Sequence, residues 1–491
     1  MTQTSDIVAK LWNLCHILRD GGISYHQYVT ELTLLLFLKM AKETGKERTK
    51  EGAPRIPKGC RWDDFLALPP GGDKLDAYKE MLIKLGKAPD PLVRAIYTGA
   101  QTTLREARHL DRLVLDIDGL DWFTAKSDGL GDMYEGLLEK NASETKSGAG
   151  QYFTPRPLIE AMVDVMKPQA GEVVQDPAAG TAGFLIAADT YIKKHTADLF
   201  DLGDKEQRFQ KREAFVGLEL VPETRRLALM NCMLHDIDGV GEGAVRLGDT
   251  LSSDGAKLPD ANLIMTNPPF GTKKGAGGGS RDDLTFPTSN KQLMFLQHIY
   301  RALVPGGRAA VVLPDNVLFE EGRGREIRTD LMDKCNLHTI LRLPTGIFYA
   351  QGVKTNVLFF TRGEKEKGNT KKVWVYDLRT NAPAFGKRTP FTREYLQPFV
   401  HAFGADPTGA KNKRKDEGEQ GRFRAFTRED IAKRNDNLDL SWLKDDSAHD
   451  ETTLGEPDEI AAEIRVELQA ALEDLAALEE LLGATSPSEA A

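Results

Sequence analysis

Seven short apolar runs alternate with helical patterns between about residues 170 and 362, and this alternation constrains the fold more than any other feature. Strands that alternate with helical patterns build a mostly parallel sheet with helices on both faces. The sequence therefore predicts an α/β fold with a doubly wound, seven-stranded, Rossmann-like sheet, in which ligands bind beyond the carboxyl ends of the strands. The runs read EVVQDPAAG, AFVGLEL, AVRLGDT, NLIMTNPPF, RAAVVLP, HTILRLP and TNVLFFTR.

The segment before the sheet is predicted to be helical. In DIVAKLWNLCHILRD, the apolar residues Ile7, Leu11, Leu14 and Leu18 share one face at helical spacing. The run SYHQYVTELTLLLFLKMAKE predicts a second, more apolar helix. We therefore expect a helical N-terminal domain over residues 1–148.

Two segments of different character follow the sheet. The stretch DPTGAKNKRKDEGEQGR is charged and has no large apolar residue, so we expect an exposed loop within a connecting segment at 401–455. Residues 456–491 are predicted to form a C-terminal helix, because apolar residues recur at alternating spacings of four and three, as in a heptad seam. This helix either folds back on its own domain or docks onto another chain, and the length of the seam favours docking. The seam comprises Ile464, Leu468, Ala471, Leu475, Leu478 and Leu482.

Composition argues against several classes of protein. Cys15, Cys60, Cys232 and Cys335 have no paired spacing, which argues against a disulfide framework or a metal site and favours a reducing, cytoplasmic location. No apolar run is long enough to predict a membrane span, and the N-terminus has no signal-peptide pattern. The formal net charge is −9, so a nucleic-acid substrate would require a local basic patch or a partner subunit.

Glycine and acidic residues follow the first three predicted strands. Asp176 precedes a turn with Gly180 and Gly183, where glycine lets a ligand approach the backbone and the next helix offers free N–H groups. Glu219 ends the second strand and fits ribose hydroxyls, and Asp249 follows the third and fits an adenine amino group. Each feature alone is common in structural turns and solvated loops. Their combination predicts a nucleoside-bearing cofactor, without choosing between a dinucleotide and S-adenosylmethionine.

The residues Asn267, Pro268, Pro269 and Phe270 follow the fourth predicted strand and favour methyl transfer to an amino group. The exocyclic amine of adenine is a poor nucleophile, because its lone pair is delocalised into the ring. Two acceptors aimed at its hydrogens, the Asn267 side-chain oxygen and the Pro268 carbonyl, would localise that lone pair and stabilise the developing positive charge. The prolines fix the loop, and Phe270 offers a face on which a base stacks. A merely rigid turn is the alternative, although adjacent prolines are unusual after a buried strand.

The order DPAAGTAGFL, Glu219, Asp249 and NPPF resembles the amino-methyltransferases that use S-adenosylmethionine. GQYFTPRPLIEAMVD resembles the cofactor-binding segment of the DNA-adenine branch, and LRLPTGIFYAQGVKTNVLFF and NDNLDLSWL resemble the modification (M) subunit of type I restriction–modification systems. The resemblance covers almost the whole chain and implies a methyltransferase catalytic domain over residues 149–400. It also implies methyl transfer to the exocyclic amino group of a flipped adenine in duplex DNA.

The resemblance implies roles for individual residues. Asn267, Pro268, Pro269 and Phe270 would form the catalytic loop around the target adenine. Phe153 fits either a second aromatic wall or the core. The cofactor would be bound by a segment before the first strand, by the glycine turn and by two acids: Gln151, Tyr152, Phe153, Thr154, Pro155, Arg156, Asp176, Gly180, Thr181, Ala182, Gly183, Glu219 and Asp249.

The loop after the catalytic residues, GTKKGAGGGSRDD, is either a flexible linker or a DNA-binding element. In the second interpretation, Lys273, Lys274 and Arg281 contact DNA phosphates. No segment is typical of a sequence reader, a nuclease or a helicase, and the pattern GxxxxGK[ST] does not occur. The resemblance therefore implies a specificity (S) subunit, a restriction (R) subunit and two M subunits per S subunit, with no membrane partner.

Two other functions fit part of the pattern. A protein glutamine methyltransferase would present a similar NH2 group to an Asn-Pro-Pro-aromatic loop, but those enzymes usually carry tyrosine where this chain has Phe270. A non-catalytic scaffold subunit would bind the cofactor and hold a restriction complex together. The presence of both Asn267 and Phe270 argues against a scaffold.

Overall fold

The structure is a computed structural model. It describes residues 8–13, 25–49, 52–120, 122, 131, 134–139, 153–271, 281–348, 353–383, 385–386, 389–444 and 465, with the backbone alone for 25–29. The heptad segment predicted at 456–491 lies outside these residues apart from Arg465, so that the docking helix stays a prediction.

Nine strands form one sheet at the centre of the described fold: β1 (Val174–Asp176), β2 (Phe215–Glu219), β3 (Val245–Leu247), β4 (Ala261–Thr266), β5 (Leu303–Pro314), β6 (Cys335–Arg342), β7 (Thr355–Arg362), β8 (Lys372–Asp377) and β9 (Phe423–Thr427). Their order is β3-β2-β1-β4-β5-β7-β6-β8-β9. Strands β1 to β5 are parallel to one another, and β7 runs antiparallel between β5 and β6. β8 is parallel to β6, and β9 is antiparallel to β8.

The predicted α/β fold with a helical N-terminal region is confirmed, and all seven apolar runs form strands. The number of strands differs from the predicted seven, because β8 and β9 extend the sheet beyond β6. β9 lies within the segment predicted to be connecting. Its sequence, FRAFT, has polar residues between the aromatic ones and forms an edge strand, so no continuous apolar run marks it.

Helices pack on both faces of the sheet. Along β5, Ala310 and Val312 belong to one hydrophobic cluster, whereas Ala309 and Val311 belong to another, as expected for side chains that alternate across a strand. The helices after residue 150 are α6 (Arg156–Met166), α7 (Gly183–His195), α8 (Asp204–Arg212), α9 (Pro222–Leu234), α10 (Lys291–Ala302), α11 (Asn316–Phe319), α12 (Arg323–Lys334), α13 (Gln397–Phe403) and α14 (Arg428–Lys433).

The N-terminal region is helical and packs against α9. Arg226 of α9 donates from Nε to the Ile96 carbonyl at 2.5 Å and from Nη2 to the Thr98 carbonyl at 3.2 Å. Residues 31–41 are buried throughout, within the second, more apolar helix that the sequence predicts. In the described part of the chain, no helix is both long and apolar enough to cross a membrane. The helices are α1 (Tyr25–Glu43), α2 (Trp62–Leu66), α3 (Gly72–Leu85), α4 (Pro91–Tyr97) and α5 (Ala107–Asp118), and residues 8–13 and 134–139 are also helical.

The segment 406–422, predicted to be an exposed loop, contains both exposed and half-buried residues. It is irregular apart from one short 3-10 turn, and none of its residues is buried. The segment returns the chain from α13 to β9.

Candidate functional site

A cavity of about 1720 Å³ lies where β1, β2, β3 and β4 end. Parallel neighbouring strands bring residues that are distant in sequence to one edge of the sheet, which is where ligands bind in doubly wound folds. Pro155, Ala182 and Pro268 are not among the lining residues. The predicted site residues that line the cavity are Phe153, Thr154, Arg156, Asp176, Gly180, Thr181, Gly183, Glu219, Asp249, Asn267, Pro269 and Phe270.

The glycine turn between β1 and α7 has an unusual backbone. Gly180 has a φ of 53°, and a Cβ built on it would meet no atom within 4 Å, so the space beside it is open. Ala182 also has a positive φ, 69°, which is uncommon for a residue with a side chain. Asn231 of α9 donates from Nδ2 to the Thr181 carbonyl at 3.0 Å. The turn is therefore held from an element that follows it in the chain and leaves room for a ligand.

Glu219, at the end of β2, connects two parts of the cavity wall. Its Oε2 accepts from the Gly180 N–H at 3.0 Å, and its Oε1 accepts from the Val221 N–H at 2.8 Å. Burial raises the pKa of the Glu219 carboxyl above its ordinary value, while the backbone hydrogen bonds act in the opposite direction. Each carboxylate oxygen has two lone pairs, so both oxygens can also accept from a ligand hydroxyl.

Asp176 and Asp249 have different environments. Asp176 is 1% exposed, and its Oδ1 accepts from the Ala178 N–H at 3.1 Å. Burial raises the pKa of Asp176 to about 7, against the effect of hydrogen bonds from Thr266 and Ala178. Asp249 is half-buried, and its Oδ1 accepts from the Leu251 N–H at 2.8 Å. The more exposed Asp249 is therefore the better placed of the two acids for a ligand amine.

The loop after β4 places Asn267 against the segment before α6. Asn267 Nδ2 donates to Thr154 Oγ1 at 3.0 Å. Because this bond uses the amide nitrogen, the amide oxygen is the atom of Asn267 that can accept from a substrate amine. Pro268 is buried, Pro269 is exposed, and Phe270 is half-buried at the cavity wall. The arrangement brings an acceptor and an aromatic ring together at one position.

The segment before α6 is described from Phe153 onward, so Gln151 and Tyr152 lie outside the described residues. Arg156 Nη1 donates to Glu135 Oε2 at 2.5 Å, and its Nε donates to Glu160 Oε1 at 3.3 Å. These carboxylates hold the guanidinium at the cavity wall, next to the start of α6.

Arg281, which the sequence predicts to contact a DNA phosphate, is buried in the structure. Its side chain is 3% exposed and pairs with Asp283, from Nε to Oδ1 and from Nη2 to Oδ2, each at 2.7 Å. Nη1 donates to the Thr250 carbonyl at 2.8 Å and lies 3.2 Å from His298 Nδ1. The polar sequence SRDD predicts an exposed side chain. The contacts with Thr250 and His298, which lie elsewhere in the chain, bury the guanidinium. Lys273 and Lys274 lie outside the described residues.

Lys291 is a site residue that the sequence did not reveal. It begins α10 and lines the cavity, and its backbone N–H donates to the Gly271 carbonyl at 3.3 Å, directly after Phe270. Within the described residues, no carboxylate lies within ion-pairing distance of its Nζ. The cap residue Asn290 marks the helix start in sequence, but nothing local places that start beside Phe270.

Asn231 and Thr250 also support the site without a sequence signal. Asn231 holds the glycine turn, and the Thr250 hydroxyl donates to the Pro177 carbonyl at 2.5 Å. Both side chains act on backbone carbonyls of the β1–α7 turn from elsewhere in the chain. Among the described residues, no group of three or more His, Cys, Asp or Glu side chains is placed to hold a metal ion.

Comparisons with known proteins extend over nearly the whole chain. The N-6 DNA Methylase family matches residues 125–452, and the HsdM N-terminal domain family matches residues 7–117. The EcoKI type I restriction enzyme methylase subunit of Escherichia coli (strain K12) is 55% identical over 99% of this chain and 97% of its own length. The StySJI methylase subunit of Salmonella typhimurium (strain LT2) is also 55% identical, with the same coverage.

Two solved structures show the same fold along the chain. The crystal structure of the EcoKI M protein is similar with a TM-score of 0.58 at 50% identity, covering 99% of this chain and 98% of that one. A chain from a study of complex assembly and conformational transition in a type I R-M system has a TM-score of 0.73 at 27% identity, covering 98% and 99%.

Proposed function

This chain belongs to the N-6 DNA Methylase family as a type I restriction enzyme methylase subunit, and we propose that its cavity transfers a methyl group from S-adenosylmethionine to the exocyclic amino group of adenine in duplex DNA. One observation carries this proposal. The glycine turn, Glu219 and the Asn267 loop, which the sequence separates widely, line one cavity. A nucleoside cofactor and a target amine would therefore meet at the same place.

The cavity fits S-adenosylmethionine. The open space beside Gly180 admits the cofactor close to the backbone, and the Glu219 carboxylate is oriented by two N–H groups to accept from ribose hydroxyls. Asp249 would accept from the adenine amino group of the cofactor. When bound, S-adenosylmethionine supplies an electrophilic methyl group.

The Asn267 loop would hold the target adenine. The amide oxygen of Asn267 and the Pro268 carbonyl would accept from the two hydrogens of the amine, which localises its lone pair toward the methyl group. Phe270 would stack on the flipped base, and such stacking is worth about 1–3 kcal/mol. That is comparable with the few kcal/mol needed to flip a base, so one ring offsets much of the cost.

After methyl transfer, the amine would release its proton to solvent. His298 does not serve as the base, because burial lowers its pKa to about 3 and its Nε2 lies 3.1 Å from Gln175 Oε1. We assign no general base, and the Asn267 loop acts by positioning and electrostatics.

Lys291 would contact a DNA phosphate near the flipped base, in place of the buried Arg281. It lines the cavity beside Phe270, and it occupies the first position of α10, where the helix dipole disfavours a positive charge. A lysine at this position does not stabilise the helix, and a bound phosphate would give the charge a partner.

Specificity and restriction would come from partner subunits. With a net charge of −9, the chain is poorly suited to bind DNA by its overall charge. We propose an S subunit that recognises the DNA sequence, an R subunit that cleaves it, and two copies of this chain per S subunit. The heptad segment at 456–491 is the proposed contact with the S subunit.

The test is incubation with radiolabelled S-adenosylmethionine and unmethylated genomic DNA, with and without the S subunit from the same genome. We expect label in N6-methyladenine, and only when both chains are present. Label in protein glutamine would support the glutamine methyltransferase instead. An intact complex that binds cofactor but labels neither substrate would support a scaffold.

A further inference from the structure

We propose that Thr154 is a positioning residue for methyl transfer, whose hydroxyl holds the Asn267 side-chain amide with its oxygen toward the target amine. The position of Thr154 in the segment before α6 predicts a contact with the cofactor. The structure instead places the hydroxyl against the catalytic loop. This inference rests on the proposed function and assigns a new task within the same site.

The contact is direct and partly enclosed. Asn267 Nδ2 lies 3.0 Å from Thr154 Oγ1, although the two residues are 113 positions apart in the sequence. Thr154 is only 9% exposed, and Asn267 is half-buried. Both residues line the cavity, so their hydrogen bond forms part of its wall.

Both partners have a restricted backbone, because each precedes a proline. Thr154 stands before Pro155, the N-cap of α6, and Asn267 stands before Pro268. A residue before proline favours extended conformations, and a β-branched side chain has few rotamers. The hydroxyl is therefore a fixed point in the wall. The main freedom left to Asn267 is rotation of its side chain, whose terminal torsion has a broad, two-fold profile.

That remaining rotation decides whether Asn267 presents an acceptor or a donor. With Nδ2 bound to Thr154, the oxygen is turned to the other side, as an acceptor for the hydrogens of the amine. If the amide rotates by half a turn, its NH2 group meets the NH2 group of adenine, and two donors oppose each other. In the structure the Thr154 hydroxyl accepts from Nδ2, and this bond holds the plane of the amide in the productive geometry.

The test compares isosteric variants in the complex with the S subunit. Thr154→Val keeps the shape of the side chain and removes the hydroxyl, whereas Thr154→Ser keeps the hydroxyl. A typical net hydrogen-bond contribution predicts a roughly three- to tenfold lower kcat for Thr154→Val, with the Kd values of S-adenosylmethionine and DNA unchanged. Thr154→Ser should recover most of the activity. Thr361→Val, which removes a hydrogen-bonded hydroxyl of β7 outside the cavity lining, is the matched control and should have wild-type kcat.

Two results would overturn the inference. One is a wild-type kcat for Thr154→Val, and the other is a weaker cofactor Kd at unchanged kcat, which would make Thr154 a cofactor-binding residue. If Thr154→Val does not fold, Thr154→Ala is measured by the same criteria. A wild-type complex that labels no adenine would instead overturn the proposed function, so the two failures are distinguishable.

Discussion

The Glu219 carboxylate accepts a hydrogen bond of 3.0 Å from the backbone N–H of Gly180. The bond joins the end of β2 to the glycine turn that follows β1, and β1 and β2 are parallel neighbours in the sheet. The same carboxylate lies on the cavity wall. One acid thus stabilises the shape of the turn and offers acceptors to a ligand.

Glu219→Gln should weaken S-adenosylmethionine binding roughly tenfold or more, because hydrogen bonds to a charged group contribute about 1.5–3 kcal/mol. The glutamine oxygen can replace only one carboxylate oxygen. Its NH2 group would therefore oppose either the Gly180 or the Val221 N–H. Isothermal titration calorimetry with the cofactor measures the change. Glu213→Gln, at an exposed site beside the other end of β2, is the control, and equal Kd values for both variants would contradict the prediction.

Asn267→Ala should lower kcat by a factor on the order of 100–1000, because it removes an acceptor aimed at charge that develops during transfer. The Kd of S-adenosylmethionine should stay at the wild-type value, since Asn267 is assigned to the target base. Filter-binding of tritiated DNA measures transfer, and calorimetry measures the cofactor. Asn336→Ala, near the start of β6, is the control. Loss of cofactor binding in Asn267→Ala would show that the division of roles is wrong.

The sequence predicts the parts of the site that stand directly after an apolar run. Asp176 and Glu219 end β1 and β2, Asn267 follows β4, and the carboxyl ends of parallel strands meet at one edge. The strand pattern alone therefore indicates that these side chains share a cavity. The same reasoning could not find the edge strand β9, because its alternating polar and aromatic residues form no apolar run.

Tertiary contacts determine the positions of residues that the sequence alone does not place. Arg281 stands in a polar, glycine-rich context that predicts exposure, yet its partners Thr250 and His298 come from other elements. The hydrogen bond between Thr154 and Asn267 likewise joins separate segments. No local pattern encodes such pairs, because they depend on how the elements pack.

Arg281→Ala should destabilise the fold by about 1–3 kcal/mol, because it leaves the buried Thr250 carbonyl without this donor. Thermal unfolding measures the change as a lower Tm. The slope of log K against log salt for DNA binding should not change, since the guanidinium is buried away from phosphates. If Arg281→Ala instead lowered the salt slope by about one at unchanged Tm, the result would support a phosphate contact by Arg281.

Lys291→Ala should have the opposite pair of effects. DNA binding should weaken, and the salt slope should fall by about one, because one phosphate contact is lost. The Tm should stay equal or rise slightly, since a cation near a helix N-terminus is unfavourable by about 0.3–1 kcal/mol. Lys205→Ala, in the first turn of α8 and outside the cavity lining, is the control: its Tm should change similarly, and its DNA binding should not. Equal DNA binding by the two variants would contradict the assignment of Lys291.

Asp176 should make the stability of the protein depend on pH. Its carboxyl has an ordinary value of 3.8, and burial raises its pKa to about 7 in the folded protein. Below both values the group is protonated in the folded and the unfolded chain, so it has no effect. As the pH rises from about 4 to about 7, the unfolded chain releases the proton and the folded chain retains it, which lowers stability.

The variant Asp176→Asn does not lose stability in this way. The Tm of Asp176→Asn minus the Tm of the wild type should therefore grow from about pH 4 to about pH 7 and stay constant above that range. Differential scanning fluorimetry at several pH values measures the difference, with the exposed Asp260→Asn as the control. If the Tm difference between Asp176→Asn and the wild type were the same at pH 5 and pH 8, the Asp176 carboxyl would not titrate in this window.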